Sequence, residues 1–247
     1  MTPALPALPT PPAPARRSFF RSVCCGTFAA ASAAALPAFG AGAVPKSALT
    51  PEQALARLKA GNAEFLAGKR KPSQLDNDRR LEIARSQAPF AVLVGCSDSR
   101  VPPELLFGVG LGELFNVRNA GNTVDTTALG SVEYGAMVLG APLVVVLGHE
   151  RCGAVEAAVS VVEKNAVYPG SIGKMIEGII PAALIARSTG NLKGDELLDA
   201  AVRENVKRTV ERLRTTETMF QEPQKTGKLR IVGARYDLDT GEVEFFA

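Results

Sequence analysis

The stretch PFAVLVGCSDSR, residues 89–100, runs an unbroken apolar segment straight into a polar turn. A run of that length, rich in valine and without alternation, predicts a strand buried on both faces, as strands of parallel sheets are. APLVVVLGHERCG, residues 141–153, repeats the pattern: the apolar run stops at Gly148 and His149, Glu150, Arg151 and Cys152 follow at once. ELFNV at 113–117 predicts a further strand, and helical periodicity over 125–140 and 152–162 places helices between and after the strands. This alternation predicts an α/β fold with a central, mostly parallel β-sheet flanked by helices. Sites in such sheets form beyond the carboxyl ends of the strands, where both polar turns fall.

Moving toward the amino terminus, Thr50-Pro51-Glu52-Gln53 combines a capping residue, proline at the first helical position and glutamine three residues after the threonine. That combination starts a helix, which the periodicity of Leu55, Leu58, Phe65 and Leu66 carries to about Gly68. A polar linker with a second short helix leads to Gln87. Toward the carboxyl terminus, residues 170–220 read as mostly helical, with Leu197, Leu198, Ala201, Val202, Val206, Val210 and Leu213 forming one packing stripe. KLRIVGARYDLDTGEVEFF, residues 228–246, predicts two strands around an Asp-Leu-Asp-Thr-Gly turn.

Residues 1–43 differ in kind from the remainder. They hold Arg16, Arg17 and Arg21 with no acidic residue, and then the weakly hydrophobic VCCGTFAAASAAALPAFGAGA. A basic segment, an apolar segment and small residues before a cut make an export signal, and ARRSFFRS resembles a twin-arginine signal. The expectation is cleavage after Ala41-Gly42-Ala43, a periplasmic product of one domain over 44–247, and contact with a membrane only during export. A membrane anchor over the uncharged residues 22–44 is the alternative; the alanine-rich composition and Pro37 favour cleavage. Without the leader, the 25 remaining Lys and Arg balance the 25 acidic residues, so charge gives no reason to expect a nucleic-acid partner. Cys24 and Cys25 leave with the leader, and 204 residues with a 46% hydrophobic parent composition suffice for a substantial core.

The cysteines that remain are Cys96 and Cys152, and the chain has one histidine, His149. Two thiolates and an imidazole suit a borderline-soft divalent ion, zinc above all. His149 and Cys152 are three residues apart, so a helix beginning there would place both on one face. Asp98 has two possible roles: a fourth ligand that closes the site, or an acceptor for a zinc-bound water that leaves the fourth position open. Arg100 is placed to hold Asp98 ionised. The bland readings are a structural Asp98–Arg100 ion pair and a Cys96–Cys152 disulfide, which two cysteines in an exported protein would ordinarily suggest.

CSDSR at 96–100, VRNAGN at 117–122, SVEYGAMVLGAP at 131–142 and GHERCGAV at 148–155 closely resemble the β-class carbonic anhydrases, over essentially all of residues 50–247. The resemblance implies that fold, one Zn²⁺ per chain on Cys96, His149 and Cys152, and reversible hydration of CO2 to bicarbonate and a proton by a zinc-bound hydroxide. It implies that Asp98 is a ligand in a closed form and the partner of Arg100 in the active form. It further implies that Gln87 donates a hydrogen bond to substrate, that Phe115, Ala120 and Gly153 line the pocket, and that the protein is a homodimer or dimer of dimers with sites at the subunit interface, where Gln87 comes from the neighbouring chain. Some members carry a regulatory bicarbonate site built on tryptophan, a residue this chain lacks.

Two thiolates neutralise the metal's charge, so activity is expected to rise toward alkaline pH. With His149 on the metal no histidine is left to carry the proton to solvent, which predicts a rate that depends on buffer. The competing expectations are a hydrolase of a CO2 analogue, carbonyl sulfide or carbon disulfide, and a non-catalytic zinc-binding module.

Overall fold

The structure is a computed structural model and describes residues 46–69, 76–215 and 217–246, all within the unit Gly42–Ala247. The export signal and its cleavage point lie outside the described residues. The chain enters through α1 (Pro51–Leu66), whose capping box is as expected: the Thr50 side chain accepts from Gln53 N and the Gln53 side chain from Thr50 N. The short α2 (Asn77–Glu82) and a 3₁₀ turn over Ile83–Arg85 lead into β1 (Ala91–Cys96). There follow α3 (Pro103–Leu106), β2 (Leu114–Asn119), α4 (Thr126–Glu133), β3 (Leu143–His149), α5 (Gly153–Lys164), α6 (Gly170–Glu177), α7 (Ile180–Ser188), α8 (Gly194–Thr215), α9 (Thr218–Lys225), β4 (Arg230–Tyr236) and β5 (Val243–Phe246). The helix expected over 125–140 is interrupted: after α4 it widens into a π turn, Tyr134–Val138, where Gly135 sits against Val92 and Phe115.

The sheet order is β2-β1-β3-β4-β5, parallel throughout except for β5, which returns antiparallel to β4. Every residue of β1 and β3 is buried, and the reason is visible on both faces. Leu93, Val145 and Val232 point into one core with Leu55 and Leu58 of α1 and Phe107 after α3. Val92, Val94, Val144 and Val146 point into the other, under Val206, Val210 and Leu213 of α8 and Phe220 of α9. Strands covered on both sides lose nothing by being apolar throughout, and each fully buried side chain of this size contributes about 1.5–3 kcal/mol. The α8 stripe is buried in full, as its periodicity predicts.

A third cluster completes the carboxyl end of the sheet. Cys96 and Cys152 pack there with Val155, Ile179, Ala183, Leu197 and Val202 from α5, α7 and α8 and the turn before α7. The neighbouring central strands β1 and β3 thus end side by side under a helical cover.

Candidate metal centre

Cys96 is the last residue of β1, and the chain turns sharply after it. Ser97 N still bonds Asn119 O on β2 at 3.0 Å, while Val101 N bonds Asp98 O at 3.1 Å and Arg100 N bonds Asp98 Oδ1 at 2.9 Å. Aspartate closes its own turn in this way because its short side chain reaches the amide two residues on. Arg118 of β2 holds the turn from the side, donating through Nε to Cys96 O and through Nη2 to Asp98 O, both at 2.8 Å. Arg118 lies in VRNAGN, yet its role depends on the Cys96–Asn119 strand register, which spacing alone does not reveal.

His149 is the last residue of β3. The expected helix across His149 and Cys152 does not form: Glu150 N bonds Tyr236 O at 2.9 Å, Arg151 adopts φ 50°, and Cys152 is the N-cap of α5. A left-handed turn, and not an i, i+3 helical face, brings the two side chains together. The difference is physical: β3 remains paired to β4 through His149↔Tyr236, so helical geometry cannot start before Cys152. Cys152 therefore stands at the positive end of α5, where the Ala154 and Val155 amides pull its thiol downward against the larger upward effects of Cys96 and burial.

The three side chains converge. Cys96 Sγ and Cys152 Sγ are 3.9 Å apart as free thiols, far beyond the roughly 2.05 Å of a disulfide. His149 is fully buried; its Nδ1 lies 2.8 Å from Glu150 O, which fixes the proton there and turns the Nε2 lone pair inward. Nε2 has no hydrogen-bond partner. One ligand atom from each of Cys96, His149 and Cys152 lies within 4.8 Å of the others. Zinc–sulfur bonds of about 2.3 Å in a tetrahedron place two sulfurs about 3.8 Å apart, so the residues present fit zinc. An unpartnered buried imidazole nitrogen between two thiols is costly unless a metal receives it.

Electrostatics agree with this arrangement. Cys96 is shifted well below the ordinary thiol value, first by the hydrogen bond from Cys152 and, against the opposing effect of burial, by that from the Gly121 amide, whose N lies 3.3 Å from Sγ. Cys152 is shifted upward, first by that same contact with Cys96 and then by burial, because the pair gives up one proton readily and resists losing a second. Asp98 is lowered to about 2, mainly by its hydrogen bond with the Arg100 side chain. The contact is a fork, with Arg100 Nε 3.0 Å from Oδ1 and Nη2 2.8 Å from Oδ2. Asp98 Oδ2 lies 3.9 Å from His149 Nε2, so the ion pair borders the ligand set directly.

The remaining expected site residues divide by sheet end. Ala120 opens the 3₁₀ turn after β2, and Gly153 is the first residue of α5; both stand at the carboxyl end with the ligands. Gln87 is exposed and precedes β1, whose six residues separate it from Cys96 by about 20 Å of strand. Phe115 pairs with Val92 near the start of β2, four residues before Asn119, and stacks at a tilt on Tyr134 with centroids 6.0 Å apart. Within one chain neither reaches the centre. A second acidic group, Glu150, Asp237 and Asp239, lies beside the His149–Cys152 turn and is engaged by Arg151 and Arg235.

Residues 91–243 match the family model described as carbonic anhydrase. Over 194 residues the chain is 40% identical to the carbonic anhydrase of Mycolicibacterium smegmatis, covering 78% of this chain and 92% of the relative. Carbonic anhydrase 2 of Mycobacterium tuberculosis is likewise 40% identical, over 77% of this chain and 90% of that protein. Among solved structures, the β-carbonic anhydrase of Coccomyxa in complex with acetazolamide superposes with a TM-score of 0.60 at 28% identity, over 77% of this chain and 83% of that one. A tetrameric β-carbonic anhydrase of Sordaria macrospora superposes with a TM-score of 0.62 at 22% identity, over 68% of this chain and 85% of that one, which speaks to the fold.

Proposed function

This chain belongs to the β class of the carbonic anhydrase family, and on that premise we propose how its own residues carry out the reversible hydration of carbon dioxide to bicarbonate and a proton. The observation that carries the reading is the buried His149 Nε2, unpartnered and facing two thiols, with the Asp98–Arg100 pair alongside. Cys96, His149 and Cys152 would hold zinc, which when bound would lower the pKa of water and so supply a nucleophile near neutral pH.

Asp98 orients that nucleophile. A carboxylate held at about 2 is ionised throughout the working range, so it accepts a hydrogen bond from the attacking water and directs its lone pair toward carbon without taking its proton. Arg100 supplies the fork that keeps the carboxylate charged and aimed. A non-catalytic zinc module needs no such pair. His149 is fully buried and cannot carry the released proton outward, so that task falls to buffer or solvent.

The site is completed by a second copy of the chain. Gln87 and Phe115 sit toward the opposite end of the sheet from their own ligands, and Gln87 is exposed, as a residue serving a neighbour would be. A homodimer, alone or paired into a dimer of dimers, brings the partner's amide to the substrate. Mixing inactive Cys96→Ser and Gln87→Ala chains is expected to restore part of the activity, since a mixed dimer holds one site with both an intact ligand set and a glutamine. Mixed dimers without recovered activity would refute the shared site.

Residues 1–43 are proposed to export the folded protein to the periplasm by the twin-arginine route, on the strength of ARRSFFRS and the apolar run before Ala41-Gly42-Ala43. Among the described residues no helix is long and apolar enough to cross a membrane. Amino-terminal sequencing of the periplasmic fraction is expected to begin at Val44; retention of Arg16 and Arg17 there would reject cleavage. The deciding test of the activity is stopped-flow CO2 hydration by zinc-loaded protein from about pH 6.5 to 9, with a rate that climbs with pH. Absence of hydration at every pH with zinc bound would overturn it.

A further inference from the structure

Between His149 and Cys152 stand two residues whose side chains have no part in the chemistry described so far. Glu150 and Arg151 both reach toward the turn that joins β4 to β5. Glu150 Oε2 accepts from Leu238 N at 3.1 Å, and Oε1 lies 3.1 Å from Arg151 Nη1. Arg151 forks onto Asp239, with Nη1 2.9 Å from Oδ2 and Nη2 2.6 Å from Oδ1. The receiving turn is well tied: Asp237 Oδ1 accepts from the amides of Asp239 and Thr240 and from the Thr240 hydroxyl, and Oδ2 accepts from Arg235.

The main chain of the same two residues serves the centre. Glu150 O receives His149 Nδ1, and Arg151 O accepts from Arg100 Nη2 at 3.3 Å. Arg151 holds φ 50°, a conformation that a residue with a side chain keeps only where its surroundings hold it. We propose that Arg151 is a positioning residue for the Asp98–Arg100 pair: its grip on Asp239 ties the ligand loop to the β4–β5 turn and so fixes the carbonyl on which Arg100 rests. Asp239 and Glu150 together hold the Arg151 guanidinium at the β4–β5 turn.

The effect on hydration rests on the reading of this centre given above; the hold on the loop between two ligands does not. Two readouts therefore apply to zinc-loaded Arg151→Ala, Asp239→Asn and the double variant: kcat/KM for CO2 hydration, and the rate at which a chelator withdraws zinc. Exposed ion pairs act weakly, so each single change is expected to lower kcat/KM and to quicken zinc loss by about fourfold. Because the pair acts as one unit, the double variant is expected to be no worse than the poorer single. Effects that multiply in the double variant would overturn the proposal. So would a lowered Tm with both readouts unchanged, which is the behaviour of a simple surface staple. If Arg151→Ala fails to fold or to retain zinc, Asp239→Asn decides alone, and wild-type behaviour of that variant also overturns the proposal. Should the wild-type protein itself hydrate no CO2, the zinc-withdrawal cycle still tests the tie.

Discussion

Replacing Gly121 with alanine measures how tightly the loop after β2 is built around the Cys96 sulfur. Gly121 has φ 76°, and its amide donates to Cys96 Sγ at 3.3 Å. A Cβ at this position would stand 2.6 Å from Ile179 Cδ1 and 3.1 Å from Ala154 Cβ. The left-handed backbone costs a residue with a side chain about 1–2 kcal/mol. Forcing a methyl into a packed wall costs about 1–3 kcal/mol, and Ile179 Cδ1, the tip of a side chain, can yield enough to keep this contribution in the lower half. The total is about 3 kcal/mol, which in a chain of this size lowers Tm by roughly 6–12 °C. Calorimetry at a fixed excess of free zinc is the assay, since bound metal raises Tm by mass action. Gly153→Ala is the control: the methyl meets nothing within 4 Å, so Tm should stay within about 2 °C of wild type. A Gly121→Ala protein that melts within about 2 °C of wild type and loses zinc no faster would refute the close-packed loop.

Asp98→Asn is expected to retain zinc while kcat/KM falls about 100-fold, the size of effect that follows loss of one preorganised hydrogen-bonding group; a loss under about threefold would remove Asp98 from the reaction. Maximal hydration rate is expected to rise with buffer concentration at constant ionic strength, because the single histidine is buried among the ligands; a flat response would show an internal proton carrier. Asp237 is lowered to about 2, first by the Thr240 amide, then by Arg235 and the Thr240 hydroxyl against the opposing effect of burial. Its folded-state value lies below the unfolded one, so its contribution is complete above about pH 4 and is lost as pH falls through about 2. The urea midpoints of wild type and Asp237→Asn should thus converge between about pH 5 and 2, and a constant gap would refute this.

The parts of this molecule that follow from local chemistry were readable in the sequence. Thr50 and Gln53 start α1, the valine runs make β1 and β3, and the α8 stripe is buried, because each depends on neighbours in the chain. The candidate ligands were readable because they are the only cysteines after residue 43 and the only histidine, each directly after or near the end of an apolar run. What depends on distant pairing was not. The strand order decides that Arg118 reaches the carbonyls of Cys96 and Asp98, and the β3–β4 register decides that His149 stays extended instead of starting a helix. Likewise, nothing near Glu150 or Arg151 in sequence announces Leu238 and Asp239 as their partners, 88 residues away.

The adjacency of β1 and β3 also governs how the protein comes into being. Cys96 and Cys152 are 56 residues apart, and their sulfurs meet only after the two strands lie side by side with Ala91 opposite Leu143. Parallel pairing across such a separation is slow, since the loop must close before any contact rewards it. No fragment containing one strand holds more than part of the ligand set. Zinc capture therefore belongs to the late stage of folding, and the metal's binding energy is released into the completed sheet, where it raises the barrier to unfolding and leaves early folding almost untouched.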